Sequence, residues 1–200
     1  LVLQEYFMIS CEIYVNNKHS AKIIGQKLFD LCKDKQDIAF VFVGTDANIG
    51  DSLGPICGQI TDFSDTNLLF YGSLANTITA KDVPYAANYL KKAHPSAFVV
   101  IIDAALGNTE DIGTIKVCEN GIKPGLGVNK DLPMIGNIGI IAVVGEKRSG
   151  ERQVGVLRLG EIYKIAKTIS DGIRAFIDLR KNFDRKSNYF VPISDSSAIL

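Results

Sequence analysis

Apolar residues recur along the chain at two kinds of spacing, and each kind predicts a different element. From Ala21 to Lys33, and again from Gly155 to Arg180, they return at every third or fourth position, which is typical of an amphipathic helix packed on a core. Continuous apolar runs that are too short for helices and rich in β-forming residues predict buried strands. These runs are Ile38–Val43, Leu68–Tyr71, Phe98–Ile102, Gly113–Cys118 and Ile138–Val144.

The order of these elements predicts an α/β fold. A helix that starts near Asp51, with Pro55 in its first turn, and a second helix over Asp82–Ala93 separate the first three strands. Because strands that alternate with helices form parallel sheets, we expect a three-layer α/β/α sandwich with a mostly parallel central sheet. Residues 1–200 are predicted to form one domain, with a core over about residues 20–180 and a polar C-terminal tail over 181–200.

Composition and charge exclude several classes of partner. Lys plus Arg and Asp plus Glu each number 22, so the overall charge favours neither nucleic acid nor an anionic membrane. The longest apolar runs are far shorter than the ~20 residues that a membrane-spanning helix needs. The segment Leu1–Tyr6 carries Glu5 and has neither a basic leader nor a small-residue cleavage site, which predicts a cytoplasmic location.

The cysteines and histidines predict neither a disulfide nor a bound metal. The four cysteines form no CxxC pair and lie outside ligand spacing of either histidine, so we expect reduced and mostly buried thiols. His19 precedes the first helix and His94 ends another just before Pro95, which is typical of surface histidines. The sequence therefore predicts no metal and no cofactor, and it disfavours histidine-dependent hydrolysis.

The segment Gly44–Pro55, which follows the strand at Ile38–Val43, combines glycines with two carboxylates, Asp46 and Asp51. Loops at this edge of a parallel sheet form ligand sites. A phosphate-binding loop is excluded because GxxxxGK[ST] is missing and the carboxylates would repel phosphate, and the GxGxxG fingerprint of dinucleotide sites is missing too. Ser52 lacks the GxSxG context of a nucleophile, so we interpret it as a helix cap.

Asp51 and Asp103 are the leading candidates for catalysis. Asp51 has a simpler interpretation as a helix cap that accepts backbone N–H groups. Asp103 directly follows an apolar run that ends at Ile102, so a buried carboxyl there needs a partner, and loop amides could supply it. If the two carboxylates face each other, their repulsion raises one pKa and provides an acid and a base that together activate water. Asp46 could support or replace either member.

A second glycine-rich segment, Lys123–Pro133, is too long for a simple turn. One interpretation is a lid that closes over a ligand, with Lys123 and Lys130 available for a carboxylate or a phosphate. The other is an ordinary solvated loop. On the first interpretation we expect Lys123, Asn129 and Lys130, together with Gly50 of the first loop, to bind the substrate.

Three motifs resemble, in the same order, those of the YyaC family of sporulation proteins: GTDxxxGDxLGP at Gly44–Pro55, IIDAALG at Ile101–Gly107 and KPGLGVNKDLP at Lys123–Pro133. The resemblance spans roughly residues 38–145. That family is similar in fold to the spore germination protease and the hydrogenase maturation endopeptidases. Their three-layer, phosphorylase/hydrolase-like architecture implies peptide hydrolysis for this chain.

By this resemblance, Asp51 and Asp103 match the acidic residues of both protease groups. The germination protease is thought to use its pair as an aspartate dyad, whereas the maturation endopeptidases add a histidine to hold the nickel of their target. This chain has no histidine after Asp103, and carboxylates alone suit nickel poorly. A metal-free dyad is therefore the expectation.

These observations lead to three hypotheses. The first is a cytoplasmic, peptidase-like hydrolase of the sporulating cell or spore, which cleaves a peptide or protein substrate through Asp51 and Asp103. The second is a non-catalytic sporulation protein that keeps a protease-like crevice to bind a peptide or a small ligand. The third is a regulatory protein that acts through homodimerisation, by an apolar face of the long C-terminal helix.

Overall fold

The computed structural model describes residues 8–64, 66–122, 135–146 and 156–189, with side chains followed to residue 185. Short 3₁₀ helices lie at Gly50–Ser52 and Thr109–Asp111. The strands and α-helices follow in the order β1 (Met8–Tyr14), α1 (Ser20–Cys32), β2 (Ile38–Phe42), α2 (Leu53–Ile60), β3 (Leu69–Tyr71), α3 (Val83–Ala93), β4 (Phe98–Gly107), β5 (Thr114–Glu119), β6 (Ile138–Glu146) and α4 (Leu159–Tyr189).

The strands form one mixed sheet in the order β1-β5-β6-β4-β2-β3. Strands β3, β2, β4 and β6 run parallel, while β5 and β1 add an antiparallel edge. Helices α1, α2 and α4 cover one face and α3 covers the other. The predicted α/β class, with a mostly parallel central sheet inside a three-layer sandwich, is confirmed.

The face covered by α1, α2 and α4 is densely packed. Phe40 and Phe42 of β2 and Phe176 of α4 are fully buried there. Helices α1 and α4 cross closely, because a Cβ added at Gly25 would lie 2.7 Å from the Ala175 Cβ. A Cβ at Gly172 would lie 2.6 Å from the Ile24 Cγ2. This face therefore holds most of the apolar core.

The opposite face has a thinner cover. Val83 and Leu90 are the buried residues of α3, and they join a smaller apolar cluster with side chains from β2, β4, β5 and β6. Within the described residues, α3 packs less closely on its neighbours than α1 packs on α4. Lys116 of β5 is buried on this side of the sheet beside the apolar cluster.

Two predictions of element boundaries are wrong, and one strand was missed. Strand β4 continues past Ile102 to Gly107 because it pairs with β6 beyond the end of β2, so Asp103 lies within the strand. Helix α4 begins at Leu159 and continues to Tyr189, into the segment predicted to be an irregular tail. Strand β1, which the prediction omitted, pairs with β5.

Two other expectations concern the cysteines and membrane helices. Cys32, Cys57 and Cys118 are buried free thiols, and Cys11 is a partly buried one. Across the ranges that the structure describes, none of the helices combines the length and the apolar character needed to cross a bilayer.

Candidate functional site

The first loop folds back tightly after β2, and this brings Asp51 to the edge of the sheet. Gly44 has a φ of 144°, and a Cβ there would collide with the Asp51 carbonyl oxygen. That oxygen accepts a hydrogen bond from the Thr45 N–H at 3.0 Å. A Cβ at Gly54 would collide with the Val43 carbonyl. The glycines of the motif therefore permit two close backbone approaches that fix Asp51.

Asp103 occupies the position on β4 where the neighbouring strand β2 has just ended. The last paired residues of β2 and β4 are Phe42 and Ile102, while Asp103 is in register with Ile141 of β6. Side chains alternate along a strand, and Ile101 and Ala105 belong to the cluster on the α3 face. The Asp103 carboxyl therefore lies on the α3 face, and its Oδ1 accepts the Ala104 N–H at 2.8 Å.

The two carboxyls interact electrostatically. The 3₁₀ helix that carries Asp51 packs against β4. The pKa of Asp103 is raised to about 7: burial is the largest cause, the hydrogen bond from Ala104 lowers the pKa, and the charge of Asp51 adds to the rise. Burial also raises the pKa of Asp51. As whole residues, Asp51 and Asp103 are both half-buried.

The repulsion acts on Asp103, because the charge of Asp51 is one of the causes that raise its pKa. A carboxyl that titrates beside an existing negative charge loses its proton only at a higher pH. With its pKa raised to about 7, Asp103 is partly protonated near neutral pH. An ionised and a protonated carboxyl are the two forms that acid–base catalysis requires.

The other predicted residues of the first loop lie around the pair. Asp46 is exposed, and its charge is not among the causes of either pKa shift. Gly50 is buried, and its N–H donates to the Asn48 Oδ1 at 3.0 Å. Ser52 lies at the N-cap position of α2, as interpreted, but its side chain caps no backbone N–H, because its Oγ donates to the Ile49 carbonyl at 2.7 Å. The Ser52 hydroxyl therefore forms a hydrogen bond within the loop.

Three predicted substrate-binding residues, Lys123, Asn129 and Lys130, lie outside the described residues. Among the residues that are described, no three His, Cys, Asp or Glu side chains come together as a metal site. His94 is partly buried and shares a 2.8 Å hydrogen bond between its Nε2 and the Tyr71 hydroxyl, so the expectation of a plain surface histidine is wrong for it.

A cavity of about 290 Å³, here called the α3 cavity, lies between α3 and the sheet. The sequence analysis missed it. Its lining is mostly apolar and includes Val41, Ala86, Ala87, Leu90, Val99 and Ile101. Neither aspartate lines it, so this cavity and the carboxyl pair are distinct features of the same face. The adjacent alanines on α3, in a helix that has to cover a sheet, were the signal that could have revealed it.

The fold and the site define an α/β protein with a pair of coupled carboxyls beside a parallel sheet edge. Residues 12–172 match the model of a family described as "Protein of unknown function (DUF1256)", and the chain belongs to this family. The uncharacterized protein YyaC of Bacillus subtilis (strain 168) is 34% identical over 140 residues, which are 68% of this chain and 67% of that relative. The predicted membership of a YyaC-type family is confirmed.

Proposed function

We propose that this protein is a peptidase-like hydrolase associated with sporulation, in which Asp51 and Asp103 activate water to cleave a peptide bond. The observation that carries the proposal is the packing of the 3₁₀ helix that carries Asp51 against β4, the strand that carries Asp103, where burial and the Asp51 charge both raise the pKa of Asp103. The place of action that fits this role is the cytoplasm of the sporulating cell or spore, as expected from the sequence.

The chemistry assigns one task to each carboxyl. The Asp51 carboxylate accepts a proton from water while the water oxygen bonds to the carbonyl carbon of the substrate. Asp103 donates its proton to the carbonyl oxygen, which gives a neutral tetrahedral diol. Asp51 then returns its proton to the amide nitrogen, Asp103 takes back the hydroxyl proton, and the carbon–nitrogen bond breaks. Every proton is restored at the end of the cycle.

The same assignment predicts how activity depends on pH. Activity falls above about pH 7, because Asp103 loses the proton that it must donate. It also falls on the acid side, where Asp51 becomes protonated and no longer accepts a proton from water. A bell-shaped profile of kcat/KM is expected, with its alkaline limb near the pKa of Asp103.

A second candidate function is a non-catalytic protein that binds a peptide or small ligand. The specific observation in its favour is the α3 cavity, which is apolar, lies on the Asp103 face and is separate from the two carboxyls. In this case the carboxyls would serve only to orient a bound ligand. Turnover is the property that separates the two functions.

The test uses a peptide library incubated with the full chain in ¹⁸O-labelled water and analysed by mass spectrometry. Hydrolysis places one ¹⁸O in each new C-terminal carboxyl group. We expect Asp51→Asn and Asp103→Asn to reduce kcat/KM by about 10²–10⁴-fold, the contribution typical of acid–base groups. Asp46→Asn tests whether Asp46, an exposed carboxyl of the same loop, supports the pair: kcat/KM should stay close to that of the unsubstituted protein if it does not. Turnover that survives both substitutions would overturn the dyad, and a lack of any cleavage would favour the binding function.

A further inference from the structure

We propose that the α3 cavity receives one apolar side chain of the peptide whose cleaved bond lies at Asp51 and Asp103. This inference rests on the proposed function and adds a substrate class to it. The favoured substrates are peptides with a residue of leucine or phenylalanine size close to the cleaved bond.

The first argument is the position of the cavity relative to the acids. Val41 and Ile101 are paired across β2 and β4, and both line the cavity. The next residue of β4 that faces the same side is Asp103, which lies about 7 Å further along the strand at ~3.3 Å per residue. The Ile101 end of the cavity therefore lies two strand residues from Asp103 on the same face of the sheet.

The second argument is the chemistry of the lining. Ala86 and Ala87 present only methyl groups, so α3 leaves space above the sheet where larger side chains would fill it. Val99 and Ile101 supply an apolar floor. An apolar group that enters this space is removed from water at little polar cost, which favours binding by roughly 25 cal/mol per Å² of buried apolar surface.

The third argument is size. A volume of about 290 Å³ lies at the lower limit of the roughly 300–1,000 Å³ that is typical of pockets for whole small-molecule ligands. The cavity therefore suits a single side chain better than a complete cofactor or nucleotide. Its polar lining residues, Lys91 and His94, lie towards the C-terminal end of α3, next to the start of β4 and away from Asp103.

The test fills the cavity without altering the aspartates. Ala87→Leu places a larger side chain inside it, and Ala93→Leu makes the same change at an exposed position of α3 outside the lining. Two measurements are made on the full chain. One is the preference for leucine or phenylalanine over glycine in cleaved library peptides. The other is the effect of N-acetyl-leucinamide on the NMR methyl signals of Val41 and Ile101, with N-acetylglycinamide as the blank probe.

We expect the unsubstituted protein and Ala93→Leu to prefer the large apolar residue by about 10- to 100-fold in kcat/KM, and Ala87→Leu to lose that preference. Asp103→Asn should reduce kcat/KM by about 10²–10⁴-fold but keep the methyl shifts caused by N-acetyl-leucinamide. If N-acetyl-leucinamide shifts the methyl signals but no peptide is cleaved, the cavity binds apolar groups and the hydrolase proposal is contradicted. Two outcomes would contradict the proposed role of the α3 cavity while the hydrolase proposal stands. One is cleavage without an apolar preference, and the other is methyl shifts that Ala87→Leu leaves unchanged.

Discussion

The two faces of the central sheet differ in how completely they are covered. On one face, α1 and α4 approach so closely that glycines are needed at their crossing, and aromatic rings from β2 and α4 fill the interior. On the other face, α3 leaves a cavity of about 290 Å³, and Asp103 and Lys116 are placed among apolar neighbours.

The difference between the two faces points to different roles, with one face stabilising the fold and the other carrying the candidate chemistry. Protein interiors are close-packed, and a well-filled face tolerates neither voids nor charged groups without a cost in stability. A face of the sheet that contains both a void and charged groups has to be held in place by the packing of the opposite face. We infer that the α1/α2/α4 face stabilises the fold and that the α3 face can therefore keep a carboxyl pair and an open cavity. Four predictions test this division.

The largest effect is expected when a matched leucine is truncated on each face. Leu28 of α1 is fully buried in the dense core, whereas Leu90 of α3 is 5% exposed and lines the cavity. Leu28→Ala should lower the free energy of unfolding by about 3–5 kcal/mol. Leu90→Ala should lower it by about 2 kcal/mol, because some of the contacts around Leu90 are already missing. Urea denaturation of both variants measures the difference, and equal losses would contradict the division between the faces.

The pattern of apolar residues predicted most of the dense face, because a helical stripe such as that of α1 depends on local sequence. The glycine and aspartate motif also indicated the place of Asp51. The full length of β4 could not be predicted, since its second half is a strand only through pairing with β6. The adjacent alanines of α3 were a signal for the α3 cavity, but its size could not be predicted because it depends on how far the helix lies from the sheet.

The close crossing of α1 and α4 gives the second prediction. A Cβ at Gly25 would lie 2.7 Å from the Ala175 Cβ and 2.9 Å from the Gly172 carbonyl oxygen. Gly25→Ala should therefore force the helices apart and cost about 1–3 kcal/mol. Gly160→Ala is the matched control, because a Cβ there meets nothing within 4 Å. It should be neutral or stabilise by up to about 1 kcal/mol through helix propensity. A tolerated Gly25→Ala, measured by thermal unfolding, would show that the dense face is more adaptable than inferred.

The third prediction concerns the stability cost of Asp103 on the α3 face. Its pKa is raised to about 7 in the folded protein, compared with about 3.9 for an ordinary Asp. The folded protein therefore holds this proton over a range in which the unfolded chain has released it, so the free energy of unfolding falls as the pH rises from about 4 to about 7.

Asp103→Asn removes that dependence. Relative to the unsubstituted protein, the variant should gain about 1–3 kcal/mol of stability between pH 4.5 and pH 8. Urea denaturation at the two pH values measures this gain. Asp46→Asn, at an exposed position of the same site, is the control. A gain of equal size for both variants would show that the effect does not arise from the burial of Asp103.

The smallest effect is expected at Lys116, the buried cation of the α3 face. Its Nζ lies 3.6 Å from the Glu12 Oε1 and 3.5 Å from the Asp111 Oδ2, while its side chain is only 5% exposed. Lys116→Met keeps the apolar stem and removes the charge. The two carboxylates are left 38% and 23% exposed, so water can solvate them. Because the desolvation cost of the ammonium is removed together with its ion pairs, the net change should stay within about 1 kcal/mol. A loss as large as that of Leu28→Ala in urea denaturation would mean that this ion cluster, and not the opposite apolar core, holds the α3 face in place.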